Sequence, residues 1–506
     1  MSETSIPALI AHLGETAKSV TVLNPSTAKP LYELPQHSAE QVKAAIAKAR
    51  EAQPDWAATP VRERAAILLR LNDLILEHEN QLLDVVQLET GKSRGHAFEE
   101  FGGAVNASRY YGKVATRELR LKRVAGGFPI ITKTYVDQIP IGVVGIITPW
   151  NYPLALAALD VLPALAAGNA VVQKTDNQTT LTVLYLRHLA IEAGLPADAW
   201  TIVVGDGAEV GNSITDNADY VAFTGSTATG KLVAQRAAAR LIGYSLELGG
   251  KNPMIILRRA NLATAAQILI GGAFGSAGQL CVSIERVYVP NELKALFEAE
   301  LAKRIAKLKI GKSSDYSNDI GSLTSANQVD RVDGFIQDAV GKGARLVAGG
   351  HPLIDRGPYF YAPTVITDIN DAMRLDRNEV FGPVIQVYGY EDIQEAIELA
   401  NDTEFGLNAS VVGPEAEARR VAGHLHAGSV NINEGFRTSF SSMESPMGGM
   451  KSSGFGRRNG AYGLLRFTES RAIGVQSRWV RLPSNGAEYE RLAPLFRALS
   501  KLLRRI

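Results

Sequence analysis

The stretch IGVVGIITPWNYPLALAALDVLPALAAGNAVVQKTD, residues 141–176, decides the fold. It opens on IGVVGIITPW, a run rich in β-branched residues that reads as a strand. LALAALDVLPALAAG follows, apolar on every side, as a buried helix. NAVVQKTD then returns as a second strand. The alternation continues through TLTVLYLRHLAIEAG (helix), TIVVGD and DYVAFTG (strands) and KLVAQRAAARL (helix). Strand and helix alternating in this way predict a parallel sheet covered on both faces.

Working outward, a second alternating series follows residue 281. ERVYV, ARLVAGG, FYAPTVIT, PVIQVYGY and SVNIN read as strands, with ELKALFEAELAKRIAKL and IQEAIELAN as helices. Two α/β domains in tandem are expected, with a boundary near residue 248. Upstream, AEQVKAAIAKAREAQPDW and RERAAILLRLNDLILEHENQLLDVVQLETGK carry apolar residues at helical spacing. The end of the chain, RLAPLFRALSKLLRRI, puts Leu492, Leu495, Phe496, Leu499, Leu502, Leu503 and Ile506 on one helical stripe. Arg491, Arg497, Lys501, Arg504 and Arg505 stand opposite. Such a helix suits an anionic membrane surface, or docking on the body or a neighbouring subunit. Docking is the expectation, because one helix of this kind is a weak anchor.

Bulk composition narrows the classes. The 506 residues hold 53 Lys plus Arg against 52 Asp plus Glu, a formal charge of +1, so no global field attracts nucleic acid. MSETSIPALIAHLGET lacks a basic leader followed by an apolar core. The apolar run from Leu154 is interrupted by Asp160 and Pro163, short of what a membrane span needs. The single cysteine, Cys281, fits a reducing compartment, and the expected location is cytoplasmic.

Several stretches could carry chemistry. GSAGQLCVS holds Cys281 in a glycine-flanked loop, although a lone cysteine is most often a small core residue. SLELGGKNP sets Glu247 between two leucines, where burial raises a carboxyl toward general-base range; a salt-bridged structural glutamate is the alternative. ITPWNYP fixes Asn151 between two prolines, as an oxyanion donor or simply a turn residue. DYVAFTGSTATGK ends a strand at Thr224 and starts a helix beyond Gly225 and Gly230, a place for a phosphate. Its spacing matches neither the dinucleotide fingerprint nor a Walker loop, since Leu232 follows Lys231. Lys174 ends a buried strand, where ligands of open α/β sheets bind. No metal-ligand cluster is evident, and none of the eight histidines falls in these motifs.

In order along the chain, PWNYP, AGNAVVQK, FTGSTATG, LELGGKNP, GQLC, NEVFGPV and PMGGMKSSGFGR resemble the aldehyde dehydrogenase superfamily over residues 20 to 480. The 34 residues from Glu247 to Cys281 also agree with that family. The resemblance implies an α/β fold with a Rossmann-like cofactor domain (20–123 and 140–247), a catalytic domain (248–449) and an oligomerisation element (124–139 with 466–480). The amphipathic C-terminal helix would occupy 481–506.

The resemblance also implies that an aldehyde is oxidised to its acid with NAD or NADP. Cys281 would be the nucleophile, Glu247 the base for the deacylating water, and the Asn151 amide with the Cys281 N–H the oxyanion hole. Pro149, Trp150, Lys174, Asn177, Gly225, Ser226, Gly230, Leu248, Glu379 and Phe381 would bind the cofactor. In particular, Lys174 would hold the adenosine ribose, Ser226 a phosphate and Glu379 the nicotinamide ribose. A homodimer or homotetramer is expected.

Asn177 stands where NAD-preferring members often carry glutamate, which favours NADP, and Asp160 stands where many members have lysine. GQLCVSIERVYV and LIGYSLELGGKNPMI resemble the NADP-type succinate-semialdehyde dehydrogenases of bacteria, making succinate semialdehyde the expected substrate. A broad aliphatic or aromatic range is the alternative. Gly275 and Ser276 replace the arginine pattern of some semialdehyde enzymes, and Arg286 could face a substrate carboxylate or serve structure, the latter being expected. A CoA-acylating relative is disfavoured by Glu247, and a non-catalytic protein by retention of Cys281, Glu247 and Asn151.

Overall fold

The computed structural model describes residues 6–126, 132–479 and 481–504. Two mostly parallel sheets organise it. The first runs Gly454–Phe455, Gly243–Glu247, Tyr220–Thr224, Val143–Ile147, Ala170–Lys174, Trp200–Val203 from edge to edge. All its strands are parallel except the first, which pairs antiparallel with Gly243–Glu247. Period-two alternation explains the layering. Val144, Ile146 and Val171 face a core built with Val61–Glu77, Arg94–Glu118, Pro153–Ala166 and Thr180–Glu192. Val143, Ile147 and Val172 face the opposite side, under Ala39–Ala58, Gly207–Asn217 and Thr227–Ala239.

The second sheet runs Arg345–Ala348, Thr364–Thr367, Val384–Tyr390, Ile284–Pro290, Asn252–Ile256, Asn408–Val412, Ser429–Ile432, with only the first strand antiparallel. Leu262–Ala273, Asn291–Ile305 and Ala326–Gly341 cover one face, Ile393–Asn401 and Glu415–Ala422 the other.

Pro153–Ala166, the helix read from the opening stretch, starts on a proline in its first turn, where no N–H is needed, and every residue in it is buried. Gly207–Asn217 was not expected from periodicity. Asp206 starts it by accepting from the Ala208 and Glu209 amides.

Thr132–Pro140 pairs antiparallel with Lys122–Val124 on one side and Thr468–Gln476 on the other, forming a separate three-stranded sheet. Residues 127–131 and 480 of the segments expected to form an oligomerisation element lie outside the described residues. The returning chain at 450–455 does not stay with either sheet. Met450–Lys451 pairs with Phe405–Gly406, and Gly454–Phe455 joins the first sheet.

The C-terminal helix spans Gly486–Leu503, and none of residues 486–501 is buried. Within it Leu492 and Leu499 are half-buried and Leu495 is exposed. Among the described residues, no helix is long and apolar enough to cross a membrane.

Candidate active site

The order of the first sheet reverses between Val143–Ile147 and Tyr220–Thr224, and a crevice opens at the carboxyl ends of strands at such a point. Pro149, Trp150 and Asn151 leave one strand there, Gly225 and Ser226 the next, Leu248 and Gly249 a third. With Cys281, Glu247, Glu379 and Phe381 from farther along the chain, they line one cleft of about 730 Å³. Gln328 and Arg331 line it as well, from the helix Ala326–Gly341, which carries none of the quoted motifs.

Asn151 is held by its neighbours. Its Nδ2 donates to the Gln279 carbonyl at 2.9 Å, which leaves the second amide hydrogen unused. Its backbone carbonyl accepts from Lys92 Nζ at 2.7 Å, and that ammonium is paired with Glu100 at 2.5 Å in full burial. The other Glu100 oxygen accepts from the Leu154 amide at 2.6 Å. One buried ion pair thus clamps both ends of the turn containing Asn151.

Cys281 follows a turn with left-handed backbone at Ser276 (φ 49°), Ala277 (φ 54°) and Gly278 (φ 75°). Non-glycine residues rarely adopt this conformation, and it concentrates at functional loops. Gly278 has no substitute, because a Cβ there would lie 2.0 Å from the Gly382 carbonyl oxygen. The Cys281 carbonyl is fixed by Asn252 Nδ2 at 2.8 Å. Burial, then the carboxylates of Glu379 and Glu247, push the thiol up to about 12. At rest it is therefore protonated.

Glu247 ends its strand with both carboxyl oxygens buried and without a partner. Burial raises it to about 7, with Arg458 and Arg466 pulling the other way. A carboxyl with open lone pairs and a pKa near neutrality can accept a proton from water. Gly448 must be glycine beside it, since a Cβ would stand 3.2 Å from Glu247 Oε1 and 2.8 Å from the Gly456 carbonyl.

The residues expected to bind cofactor separate into two groups. Ser226 caps the helix Thr227–Ala239 by accepting from the Thr229 amide at 3.2 Å, so the cleft meets a helix N-terminus. Glu379 lines the cleft, accepts from the Gly250 amide at 2.8 Å, and is raised to about 7 by burial and by Glu285. Phe381 meets Trp150 edge-to-face with centroids 5.6 Å apart. Lys174, Asn177 and Gly230 are not among the residues lining this cleft. Gly230 lies behind its wall, where a Cβ would meet Leu248 at 2.5 Å. Lys174 ends its strand, buried, with one bond from Nζ to the Thr175 carbonyl and two ammonium protons to spare. The Asn177 amide is engaged at both ends, donating to Gln36 Oε1 and accepting from the Gly205 amide.

A second cleft of about 780 Å³ shares the Asn151–Leu159 segment as a wall, with Leu156 lining the first and Leu159 the second. Phe98, Tyr152, Phe436, Phe440 and Met443 make it mainly apolar. Gly275 borders it, since a Cβ there would approach the Phe436 ring at 3.7 Å and the Tyr152 hydroxyl at 3.9 Å. Its one cation, Arg437, is bound to Glu99 at 2.8 Å and Glu434 at 3.1 Å. Sequence reasoning missed this wall. Tyr152 within PWNYP was its only signal.

Two residues left open by the sequence now have partners. Asp160 is fully buried and bonds the guanidinium groups of Arg458, at 2.7 Å through Nε, and Arg466. Arg458 also donates to Thr224 Oγ1, on the strand position paired with Glu247. Arg286 faces neither cleft. It donates to the carbonyls of Lys251, Leu399 and Ala400 and to the Tyr288 hydroxyl, which is a structural role.

Comparisons with known proteins agree with this architecture. The sequence model of the Aldehyde dehydrogenase family matches residues 12–473. A Mycolicibacterium smegmatis protein named "Putative succinate-semialdehyde dehydrogenase (NADP(+))" is 47% identical over 482 residues, covering 94% of this chain and 93% of its own. A Mycobacterium ulcerans protein of the same description, numbered 2, is 46% identical over 481 residues, with 94% and 93% covered. Among solved structures, an E. coli NADP dependent enzyme superposes with a TM-score of 0.87 at 34% identity, covering 91% of this chain and 95% of its own. Betaine aldehyde dehydrogenase from Staphylococcus aureus in complex with NAD+ gives 0.87 at 32%, covering 92% and 94%.

Proposed function

The chain belongs to the aldehyde dehydrogenase family, and we propose that it oxidises an aldehyde to its carboxylic acid with NAD or NADP through a thioester on Cys281. The observation that carries this reading is one cleft holding Cys281, the Asn151 amide and the partnerless carboxyl of Glu247.

The site fits a dinucleotide. It offers the helix N-terminus at Gly225 and Ser226, the Glu379 carboxylate, and, at a nearby strand end, the spare Lys174 ammonium protons for a ribose. When bound, the nicotinamide supplies the acceptor for the hydride leaving the aldehyde carbon. The chain does the rest. Cys281 releases its thiol proton to water in the cleft as Sγ bonds to that carbon, the second Asn151 amide hydrogen and the Cys281 N–H receive the charge developing on its oxygen, and that oxygen re-forms a carbonyl, now of a thioester, as the hydride departs. Glu247 takes the proton of the water that hydrolyses the thioester. NADP is favoured over NAD because Asn177 places no negative charge beside a 2′-phosphate, and NADP also appears in the names of the mycobacterial relatives.

Succinate semialdehyde is the substrate those names support, and Arg437 is the cation that would meet its carboxylate. One observation favours the second reading, an aliphatic or aromatic aldehyde range: Glu99 and Glu434 already neutralise Arg437 in an otherwise apolar cleft. An aldehyde panel run with each dinucleotide separately tests both. Preference for succinate semialdehyde over an uncharged aldehyde of similar length, lost in Arg437→Leu, supports the first reading; the reverse preference supports the second. No nicotinamide reduction with any aldehyde, or reduction dependent on CoA, overturns the proposal.

We take residues 20–123 and 140–247 as the cofactor domain, 248–449 as the catalytic domain, and the three-stranded sheet as the homo-oligomer surface. Light scattering on the purified protein gives the assembly size. A protein whose reaction needs a reduced thiol at Cys281 belongs in the cytoplasm.

A further inference from the structure

Two polar atoms of the second cleft have no hydrogen-bond partner among the described residues. The Tyr152 hydroxyl and Glu99 Oε2 are both buried and unbonded, and both residues line that cleft. Folded proteins pair nearly all such atoms, so two orphans in one cleft call for an occupant that pairs them. Tyr152 is held firmly, 2% exposed and with the Lys92 ammonium 3.8 Å from the centre of its ring. Room remains beside its hydroxyl. A Cβ built on Gly275 would meet the Phe436 ring first, at 3.7 Å, and the Tyr152 hydroxyl at 3.9 Å, both ordinary contact distances.

The two orphans differ in what they ask for. Burial, then the Glu99 and Glu100 carboxylates, keep the Tyr152 hydroxyl protonated, so it has a hydrogen to donate. Glu99, ion-paired to Arg437 through its other oxygen, accepts. A hydroxyl group is the neutral function that can take from the first and give to the second. A carboxylate could take from Tyr152 but would be repelled by Glu99. Phe98, Phe436, Phe440 and Met443 make the rest of the wall suitable for a ring.

We propose that the second cleft selects aromatic aldehydes carrying a ring hydroxyl, recognised by the Tyr152 hydroxyl and Glu99 Oε2. The proposal rests on the second of the two substrate readings above and narrows it.

The test compares benzaldehyde with 3-hydroxy-, 4-hydroxy- and 3-carboxybenzaldehyde, in the parent chain and in Tyr152→Phe, which keeps the ring beneath Lys92. In the parent, one of the hydroxylated aldehydes should show a KM about five- to tenfold below that of benzaldehyde, with 3-carboxybenzaldehyde the poorest of the set. In Tyr152→Phe that KM ratio should shrink by about fivefold, with the kcat ratio held, because the bond is equally strong before and during the reaction. Equal KM values for benzaldehyde and both hydroxylated aldehydes in the parent, or a preference for 3-carboxybenzaldehyde, overturns the proposal. So does a Tyr152→Phe variant that keeps the parent's ratio or slows every aldehyde by one factor, since Tyr152 would then serve structure alone. Benzaldehyde oxidation in any of these cases leaves the dehydrogenase reading standing. Preference for succinate semialdehyde over benzaldehyde removes the substrate reading beneath the proposal, and the proposal with it.

Discussion

Glu247 is buried without a partner, so its proton sets both the pH dependence of turnover and part of the stability. Below pH 7 the carboxyl is protonated and cannot accept a proton from water; above it the carboxylate forms. Steady-state oxidation should therefore rise with an apparent pKa near 7. Glu247→Gln should keep one equivalent of nicotinamide reduction per site but lose roughly 10²–10⁴ of turnover. A stopped-flow trace separates the two. The folded pKa lies above the unfolded value, so the stability Glu247 contributes when protonated is lost as pH rises from about 4.5 through about 7. Glu247→Gln should then be more stable than the parent at pH 8, by something on the order of 3 kcal/mol, read from denaturant midpoints at both ends of that range. Cys281→Ala should abolish oxidation with the fold intact, because deleting one thiol leaves the buried network around it untouched.

At the scale of elements, two turns set the site. The turn before Cys281 needs Gly278, where a side chain would strike the Gly382 carbonyl and the backbone is left-handed. Gly278→Ala should lose most activity by displacing Cys281, measurable as slower labelling by a thiol reagent or loss of the initial burst. The turn holding Asn151 hangs on Lys92 and Glu100. Lys92→Met leaves Glu100 buried and uncompensated, which costs about 3–5 kcal/mol where such pairs are broken. A drop in the denaturation midpoint of that order, with a fall in kcat, is the expected outcome. Both turns are partly legible in the sequence. The prolines of ITPWNYP mark a rigid turn and the glycines of GSAGQLC a close approach. The Lys92–Glu100 clamp is not, because nothing local distinguishes these residues from a solvated pair on helical surfaces.

Across the whole molecule, Asp160 joins the returning tail to the first domain, bonding Arg458 and Arg466 from 298 and 306 residues away. Burial pushes its carboxyl up, but the two guanidinium groups outweigh this and hold it below its usual range. Its contribution is thus present above the unfolded carboxylate pKa and lost as pH falls through the lower folded value. Asp160→Asn should cost about 3–5 kcal/mol near neutrality, and the gap from the parent should close in strong acid. By itself the sequence determined the alternating strands and helices, the parallel sheets they imply, and the motif residues that stand at strand ends. These signals are local: period-two and period-three-to-four hydrophobicity, and glycine or proline where the backbone turns. Only the tertiary structure decided what meets at those ends. The apolar second cleft draws on positions from Phe98 to Met443, and the neutralisation of Arg437 depends on Glu99. Each of these depends on distances between segments hundreds of residues apart, which hydrophobic periodicity does not encode.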